Sequence, residues 1–336
     1  MNAEIMNIDE SDELSSEESV YGEIADELLK AIQKDDLGNW QCPWHGFAKM
    51  PTNPFTGREY KGSNVLKLWS ASKTRKYESN FWAGVKTWQD NGGEVDIDQG
   101  VSIFIPVHGQ VPIEWDKTSD PAVRKRLLGE ITGAEATGGT VRRIIGFKRG
   151  VVYSQDAVTG ARVPPAGKAV EFNPIDAAER VIQGYLKNKG PALKHGGGKA
   201  YYVESLDIIH MPEREAFPPQ GALSGAQFYY ATLIHESIHS TGNSGRLDRN
   251  LRSNDKKRYA KEELVAEIGS SFLCATLGLA TELRQSHAQY IKNWMESLSK
   301  DKKVFIIAVK NASRAVDYIL MKSKMGSEID HVGGLK

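Results

Sequence analysis

The stretch that decides the fold of the second half of this chain is "IHESIH", residues 234–239. It contains His235, Glu236 and His239 in the pattern H-E-x-x-H, a pattern found on helices that bind zinc. The surrounding apolar periodicity predicts a helix over residues 227–240, and residues four apart on a helix share one face. His235 and His239 can therefore bind one metal ion, with Glu236 beside them.

The pattern is typical of a catalytic zinc site. Zinc lowers the pKa of a bound water to about 7, and a neighbouring carboxylate then takes the proton. Glu236 is the candidate catalytic residue, and Zn²⁺ is the expected cofactor. Manganese is an alternative, since His and carboxylate groups also bind Mn²⁺. A catalytic site of this kind has three protein ligands and one open position, so the sequence must supply a third ligand.

The third ligand is expected in "EELVAEIG", residues 262–269, on a helix predicted over residues 261–277. Glu263 and Glu267 are one turn apart and share a face. We expect Glu263 to bind the metal and Glu267 to hold a ligating histidine in its tautomer, although the spacing alone also permits Glu267 as ligand. Glu262 is expected to face solvent. Alternatively, these carboxylates and histidines are ordinary surface groups of two helices.

The stretch "AYYVESLDIIHM", residues 200–211, is predicted to be a strand close to this site. In metallopeptidases built on such a helix, an edge strand pairs with the extended substrate. The hydroxyl of Tyr201 or Tyr202 could stabilise a tetrahedral intermediate. The alternative is that both tyrosines are core aromatics.

Composition favours a globular protein of the cytoplasm. The chain has 336 residues, enough for two domains, and 40% of them are hydrophobic. Two distant cysteines argue against a disulfide scaffold and for a reducing compartment. No secretory signal is expected at the N-terminus. The longest apolar run, residues 304–309, is too short to span a bilayer, so no membrane partner is expected.

The zero net charge hides an asymmetry. Residues 1–27 carry ten acidic residues and no basic one, which is typical of a disordered leader. Residues 40–90 carry eight basic residues and three acidic ones, together with five of the seven tryptophans. Aromatic platforms in a positive groove bind single-stranded nucleic acid, because bases stack on them and phosphates are neutralised. The alternative is that most of these tryptophans belong to the core.

Periodicity along the chain predicts a mixture of helices and strands. Helices are predicted over residues 20–34, 64–77, 80–93, 175–187, 227–240, 261–277, 286–299 and 303–322. Besides residues 200–211, strands are predicted over residues 101–107, 141–154 and 168–173. The stretch "KHGGGK", residues 194–199, is predicted to be a loop. We therefore expect an α+β fold with two domains that meet near residue 174.

Three long stretches together resemble the ArdC-type antirestriction proteins of plasmids and phages, which are also related to part of some conjugative primases. "NPFTGREYKGSNVLKLW" (53–69) is similar to the N-terminal single-stranded-DNA-binding domain of that family. "YYATLIHESIHSTGNSGRLDR" (229–249) and "YAKEELVAEIGSSFLCATLGL" (259–279) are similar to its zincin-like metallopeptidase domain.

The resemblance implies a domain layout and a set of sites. The expected layout is an acidic leader (1–19), a single-stranded-DNA-binding domain (20–173, with a loop or insertion at 116–140), a metallopeptidase domain (174–325) and a tail (326–336). The implied metal ligands are His235, His239 and Glu263, with Glu236 as general base. The candidate DNA-binding residues are Arg58, Tyr60, Asn64, Trp69, Lys73, Arg75, Lys76, Trp82 and Lys86.

The function implied is protection of incoming mobile DNA from host restriction. The expected partners are single-stranded DNA and a peptide substrate, either a host protein or a restriction component. The alternative is a protein that only coats single-stranded DNA, in which the metal has a structural role. A complete H-E-x-x-H with a distal glutamate favours the peptidase, because a purely structural site has no need of Glu236.

Overall fold

The computed structural model describes residues 46–112, 140–164, 173–219, 221, 223–249, 251, 256–279 and 302–323. Several predictions lie outside these residues: the leader (1–19), the helices over 20–34 and 286–299, the insertion over 116–139, the strand over 168–172, the tail (326–336), Trp40 and Trp44. Of the described residues, one compact unit comprises residues 102–112 and 140–151, and a second comprises the remainder.

The described helices and strands follow one another as an α+β chain. The helices are α1 (Ser63–Arg75), α2 (Val85–Asp90), α3 (Pro174–Lys187), α4 (Gly225–Ser240), α5 (Lys256–Thr276) and α6 (Lys302–Lys322). The strands are β1 (Trp82–Ala83), β2 (Glu94–Val95), β3 (Val101–Pro112), β4 (Thr140–Ser154), β5 (Val158–Thr159), β6 (Ala192–His195), β7 (Tyr201–Val203) and β8 (Ile208–Met211).

The smaller unit consists of residues 102–112 of β3 and residues 140–151 of β4, and these two strands are neighbours in one sheet. Gly150 gives space to Ile105, since a Cβ at that glycine would lie 2.7 Å from the isoleucine side chain. The strands predicted over residues 101–107 and 141–154 are thus confirmed. β3 continues five residues beyond its predicted end.

In the N-terminal part of the larger unit, β1 pairs with the last residues of β4, with Trp82 opposite Ser154. The predicted helix over residues 80–93 is therefore wrong in its first half, and α2 begins only at Val85. The reason is tertiary pairing. The backbone N–H of Trp82 donates to the carbonyl of Thr52 (2.9 Å), so this segment is held extended between two other parts of the chain.

The second sheet of the larger unit has the order β6-β8-β7, with β6 parallel and β7 antiparallel to β8. The single strand predicted over residues 200–211 is wrong, because residues 204–207 form the turn of a hairpin. Asp207 has φ +51°, a left-handed conformation that suits turns. The predicted loop over residues 194–199 is also partly wrong, since its first two residues complete β6.

Four helices of the larger unit, α3 to α6, confirm the predictions over 175–187, 227–240, 261–277 and 303–322. Ser224 caps α4 with a reciprocal bond to Gln227, in which Gln227 N–H donates to Ser224 Oγ (3.3 Å). α5 packs against α4 and α6. Gly269 permits the close approach of α5 to α4, since a Cβ there would lie 3.0 Å from the Ile238 side chain.

Candidate metal centre

The histidine face of α4 is buried in the larger unit. His235 and Glu236 are 3% and 5% exposed. The His239 Nε2 and His235 Nε2 atoms lie 3.1 Å apart, so both imidazoles direct a nitrogen to the same point. This is the convergence that residues four apart on one helix can produce.

α5 brings a carboxylate to that point. Glu263 Oε2 lies 3.6 Å from His235 Nε2, and Glu263 Oε1 lies 3.5 Å from His239 Nε2. One ligand atom from each of the three side chains lies within 4.8 Å of the others. Glu263 is itself buried, 5% exposed. Among the described residues, His235, His239 and Glu263 thus form a group suited to a metal ion.

The outer nitrogens of the two imidazoles face two further carboxylates of α5. His235 Nδ1 lies 3.5 Å from Glu267 Oε1, which is where a residue that holds this histidine should lie. His239 Nδ1 lies 3.3 Å from Glu262 Oε1. The expectation that Glu262 faces solvent is therefore wrong. Its side chain is only 16% exposed, because the loop after α4 folds over it and brings Arg249 to its carboxylate.

The charges of the centre are strongly coupled. Burial alone lowers the pKa of His239, but the charge of Glu263 and hydrogen bonds to Glu262 and Glu263 outweigh burial, so this pKa lies well above its usual value. Burial alone raises the pKa of Glu263, but the two histidines outweigh it and hold that pKa far below the usual range. The site therefore stabilises positive charge between carboxylates, as a divalent cation requires.

The side chains fit a divalent metal by the chemistry of their donor atoms. Two imidazole nitrogens and one carboxylate oxygen form a three-ligand set that leaves a coordination position open, as in catalytic zinc sites. The same mixed set also suits manganese. The outer carboxylates, half-buried Glu262 and buried Glu267, complete the arrangement, since metal-ligating histidines usually donate their second N–H to such a group.

An open cleft of about 1470 Å³ leads to the centre, and its wall includes β7. His235, Glu236 and His239 line this cleft.

The two tyrosines of β7 differ in exposure and in hydrogen bonding. Tyr201 is 46% exposed and stacks on His210, with ring centroids 4.8 Å apart. The Tyr202 hydroxyl donates to Asp207 (2.7 Å) and is thus part of the hairpin structure.

On α1 and β1, the predicted aromatic platforms are absent. Trp69 is 2% exposed and its indole N–H donates to the carbonyl of Lys49 (3.2 Å). Its ring stacks on Phe47 and approaches Phe272 of α5 at 5.8 Å between centroids. Trp82 is 1% exposed. Both rings therefore belong to the core, which is the alternative that the sequence left open, and neither ring has an exposed face in this structure.

The other candidate DNA-binding residues differ in how far they are exposed. The Tyr60 hydroxyl donates to the Trp82 carbonyl (3.0 Å), and the Arg75 guanidinium donates to the carbonyl of Gln99. Asn64 is half-buried. We define the basic surface as the four exposed cations of the set: Arg58, Lys73, Lys76 and Lys86.

Sequence reasoning missed Arg249 and Arg246, which lie in the loop after α4. Arg249 binds Glu262, and Arg246 binds Asp207 of the β7–β8 turn. Both also donate to carbonyls at the C-terminal end of α4. A cation near a helix C-terminus is a recognisable signal, but nothing in the sequence connects either arginine to its carboxylate.

Known proteins resemble the chain over most of its length. The family model for the N-terminal domain of anti-restriction factor ArdC matches residues 18–151, and that for zincin-like metallopeptidases matches residues 179–311. An uncharacterized protein of Sinorhizobium fredii, y4eC, is 30% identical over 305 residues, which cover 89% of this chain and 91% of the relative. This chain belongs to the ArdC family of antirestriction proteins.

Solved structures agree with this ArdC-family assignment. The antirestriction protein ArdC from plasmid R388 superposes in its metal-free form with a TM-score of 0.65 at 27% identity, covering 91% of this chain and 98% of that protein. Its Mn(II)-bound form gives a TM-score of 0.64 at 28% identity, with 90% and 98% covered. The ArdC-family chain therefore has an α+β fold with an ArdC N-terminal domain and a zincin-like domain.

A further relative is the DNA primase TraC of Escherichia coli, 29% identical over 314 residues. The match covers 89% of this ArdC-family chain but only 27% of the primase, so it concerns one part of a much longer protein. Within the described residues, no helix combines the length and apolar character needed to cross a membrane.

Proposed function

We propose that this chain binds single-stranded DNA and is a metal-dependent peptidase that protects incoming mobile DNA from host restriction. The observation that carries the proposal is the buried convergence of His235, His239 and Glu263, with Glu236 beside them in an open cleft. Zinc is the metal that this donor set and the zincin-like domain favour. Manganese is the alternative, supported by the Mn(II)-bound structure of the R388 protein.

The proposed chemistry is hydrolysis of a peptide bond. His235, His239 and Glu263 would hold a divalent metal, which would act as a Lewis acid toward the peptide carbonyl and would lower the pKa of a water molecule. Glu236 accepts the proton lost by the attacking water and delivers it to the nitrogen of the leaving amine. Glu262 and Glu267 hold the outer nitrogens of the two histidines, so that the Nε2 atoms remain directed at the ligand position.

The cleft also supports a peptide substrate. β7 is an edge strand of its sheet among the described strands, since β8 is its neighbour on one side. An extended peptide can add to such an edge through main-chain hydrogen bonds. We infer that the substrate is a segment of a host protein or of a restriction component, bound along β7 across the histidine pair.

The DNA-binding part of the proposal rests on the family and on charge. The ArdC N-terminal domain and the primase relatives favour contact with DNA. The basic surface on and near α1 offers exposed cations that can neutralise phosphates. Because Trp69 and Trp82 are buried, we propose that phosphate contacts, rather than stacking on these rings, supply the affinity.

We also propose that the protein acts in the cytoplasm, where incoming DNA meets restriction enzymes. The chain has only two cysteines, Cys42 and Cys274, far apart in the sequence, and such sparse cysteine usage supports a reducing compartment.

The decisive experiment compares wild type with Glu236→Gln. We expect the variant to retain metal, to lose hydrolysis of peptides by 10²-fold or more, on the order expected for a missing general base, and to lose protection during transfer of a plasmid into a restricting host. Glu215→Gln makes the same change at an exposed position and is the control. Undiminished protection by metal-loaded Glu236→Gln would leave the alternative, a DNA-coating protein with a structural metal.

A further inference from the structure

The side chain of Arg249 is buried, 6% exposed, and all its donor nitrogens are engaged. Nη1 donates to Thr241 Oγ1 (2.7 Å) and Nη2 to the carbonyl of Ile238 (2.8 Å). Nε donates to Glu262 Oε2 (3.0 Å), while Nη2 also donates to Glu262 Oε1 (2.6 Å). The guanidinium thus connects the C-terminal end of α4 with α5 in a two-point contact to one carboxylate.

The carboxylate that Arg249 holds is the one that faces His239. Glu262 Oε1 receives the Arg249 contact and lies 3.3 Å from His239 Nδ1. A guanidinium keeps its proton in proteins, so beside Arg249 the carboxylate acts only as an acceptor. His239 must then carry its proton on Nδ1, which leaves the Nε2 lone pair for a metal.

We propose that Arg249 is a positioning residue of the metal centre, which acts through Glu262 to fix the ring orientation and tautomer of His239 and so tightens metal binding. The inference rests on the proposed metal site. The Arg249 guanidinium holds the carboxylate of Glu262, this carboxylate holds the imidazole of His239, and His239 is a proposed metal ligand.

The backbone of the loop after α4 positions the side chain of Arg249. The backbone N–H of Arg249 donates to the carbonyl of Gly242 (2.9 Å). A Cβ at Gly242 would lie 3.0 Å from Arg249 Nη2 and 2.8 Å from Leu251. A glycine at residue 242 therefore leaves the space that the guanidinium occupies.

Arg246 provides a matched control in the same loop. Its side chain has the same exposure, 6%, and its Nε donates to the carbonyl of Ser240 (2.8 Å) at the end of α4. It also binds a carboxylate, but that carboxylate is Asp207, whose other partner is Tyr202 rather than a histidine. Loss of Arg246 should therefore lower folding stability about as much as loss of Arg249 does. It should not change the positions of the metal ligands.

The experiment measures zinc affinity of the full chain by competition with a chromophoric chelator. Arg249→Met and Glu262→Gln should each weaken zinc binding by about 10- to 100-fold, the usual consequence of losing an outer partner of a metal-ligating histidine. Arg246→Met should leave zinc affinity unchanged. The visible spectrum of the cobalt-loaded protein should shift for Arg249→Met and Glu262→Gln, because the ligand field at His239 changes, but not for Arg246→Met.

A double variant tests whether Arg249 acts through Glu262. Arg249→Met combined with Glu262→Gln should weaken zinc binding no further than the stronger single change, since coupled residues are not additive. If Arg249→Met fails to fold, Glu262→Gln alone tests the inference, because this change leaves the hydrogen bonds from Arg249 to Ile238 and Thr241 in place.

Two results would overturn the inference: wild-type zinc affinity in the folded Arg249→Met or Glu262→Gln protein, or equal losses in Arg249→Met and Arg246→Met. Absence of zinc binding by the wild type would instead contradict the proposed function itself, so the two failures are distinguishable.

Discussion

The metal centre and the basic surface handle charge in opposite ways. In the metal centre, charged groups of α4 and α5 are buried, and each histidine contacts two carboxylates. In the basic surface, the cations are exposed and the neighbouring aromatic rings are buried. The first arrangement fixes a ligand position in three dimensions. The second leaves a positive surface whose side chains can adapt to a flexible polyanion.

This difference shows which sequence patterns predict a functional site reliably once the chain is folded. A pair of histidines four residues apart on a helix stays on one face whatever the helix packs against. A tryptophan in a basic segment has no such constraint, and burial of a large ring stabilises the core enough to compete with any binding role.

Removal of one metal ligand should have the largest effect. His235→Ala should lose bound metal, because only two of the three expected donors remain. Excess zinc should then no longer raise the melting temperature, whereas at a hundredfold excess over Kd it should stabilise the wild type by about 2.7 kcal/mol. Thermal unfolding with and without zinc checks this. A His235→Ala protein stabilised by zinc as strongly as the wild type would place the metal elsewhere.

Truncation of a buried tryptophan should act on stability rather than on DNA. Trp69→Ala should lower the free energy of unfolding by about 3–5 kcal/mol, the range for losing a large core aromatic. Trp69→Phe, which keeps a ring between Phe47 and Phe272, is the milder control. Denaturant unfolding measures the loss. Unchanged stability with a large loss of single-stranded-DNA binding would restore Trp69 as a stacking platform.

Loss of surface cations should act on DNA rather than on stability. Lys73, Lys76 and Lys86 of the basic surface changed together to alanine should weaken single-stranded-DNA binding. The slope of the logarithm of the binding constant against the logarithm of salt concentration should also become less steep by about 2, since each phosphate contact contributes about 0.7 to that slope. Lys310, Arg314 and Lys322, three cations of α6, changed to alanine provide the control. Equal binding by both triple variants at every salt concentration would move the DNA site away from α1.

The smallest effect concerns the hairpin that carries β7. Burial alone raises the pKa of Asp207, but hydrogen bonds from Arg246 and Tyr202 outweigh it, so the pKa is lowered on folding. Its contribution to stability is therefore present above the unfolded pKa of about 3.9 and is lost as pH falls through the folded value. Asp207→Asn should be less stable than wild type at pH 7, with the difference shrinking in acid. A difference that stays constant with pH would contradict this role.

The sequence predicted the helices that carry the metal centre because their periodicity is strong and local. It identified His235, His239 and Glu263 as candidate metal ligands by their spacing and by the resemblance to the ArdC family. It missed the role of Glu262, since its partner Arg249 lies 13 residues earlier in the chain, outside the helix that carries Glu262. It also joined β7 and β8 into one strand, because the turn at residues 204–207, Glu-Ser-Leu-Asp, has neither glycine nor proline.

Elemental analysis of the purified wild type beside Glu236→Gln and Glu263→Ala tests whether His235, His239 and Glu263 bind a metal ion. We expect about one zinc-like ion per chain in the wild type, kept in Glu236→Gln and lost in Glu263→Ala. That result would establish a three-ligand site with Glu236 free for chemistry. No metal in the wild type after reloading, or full retention in Glu263→Ala, would contradict it.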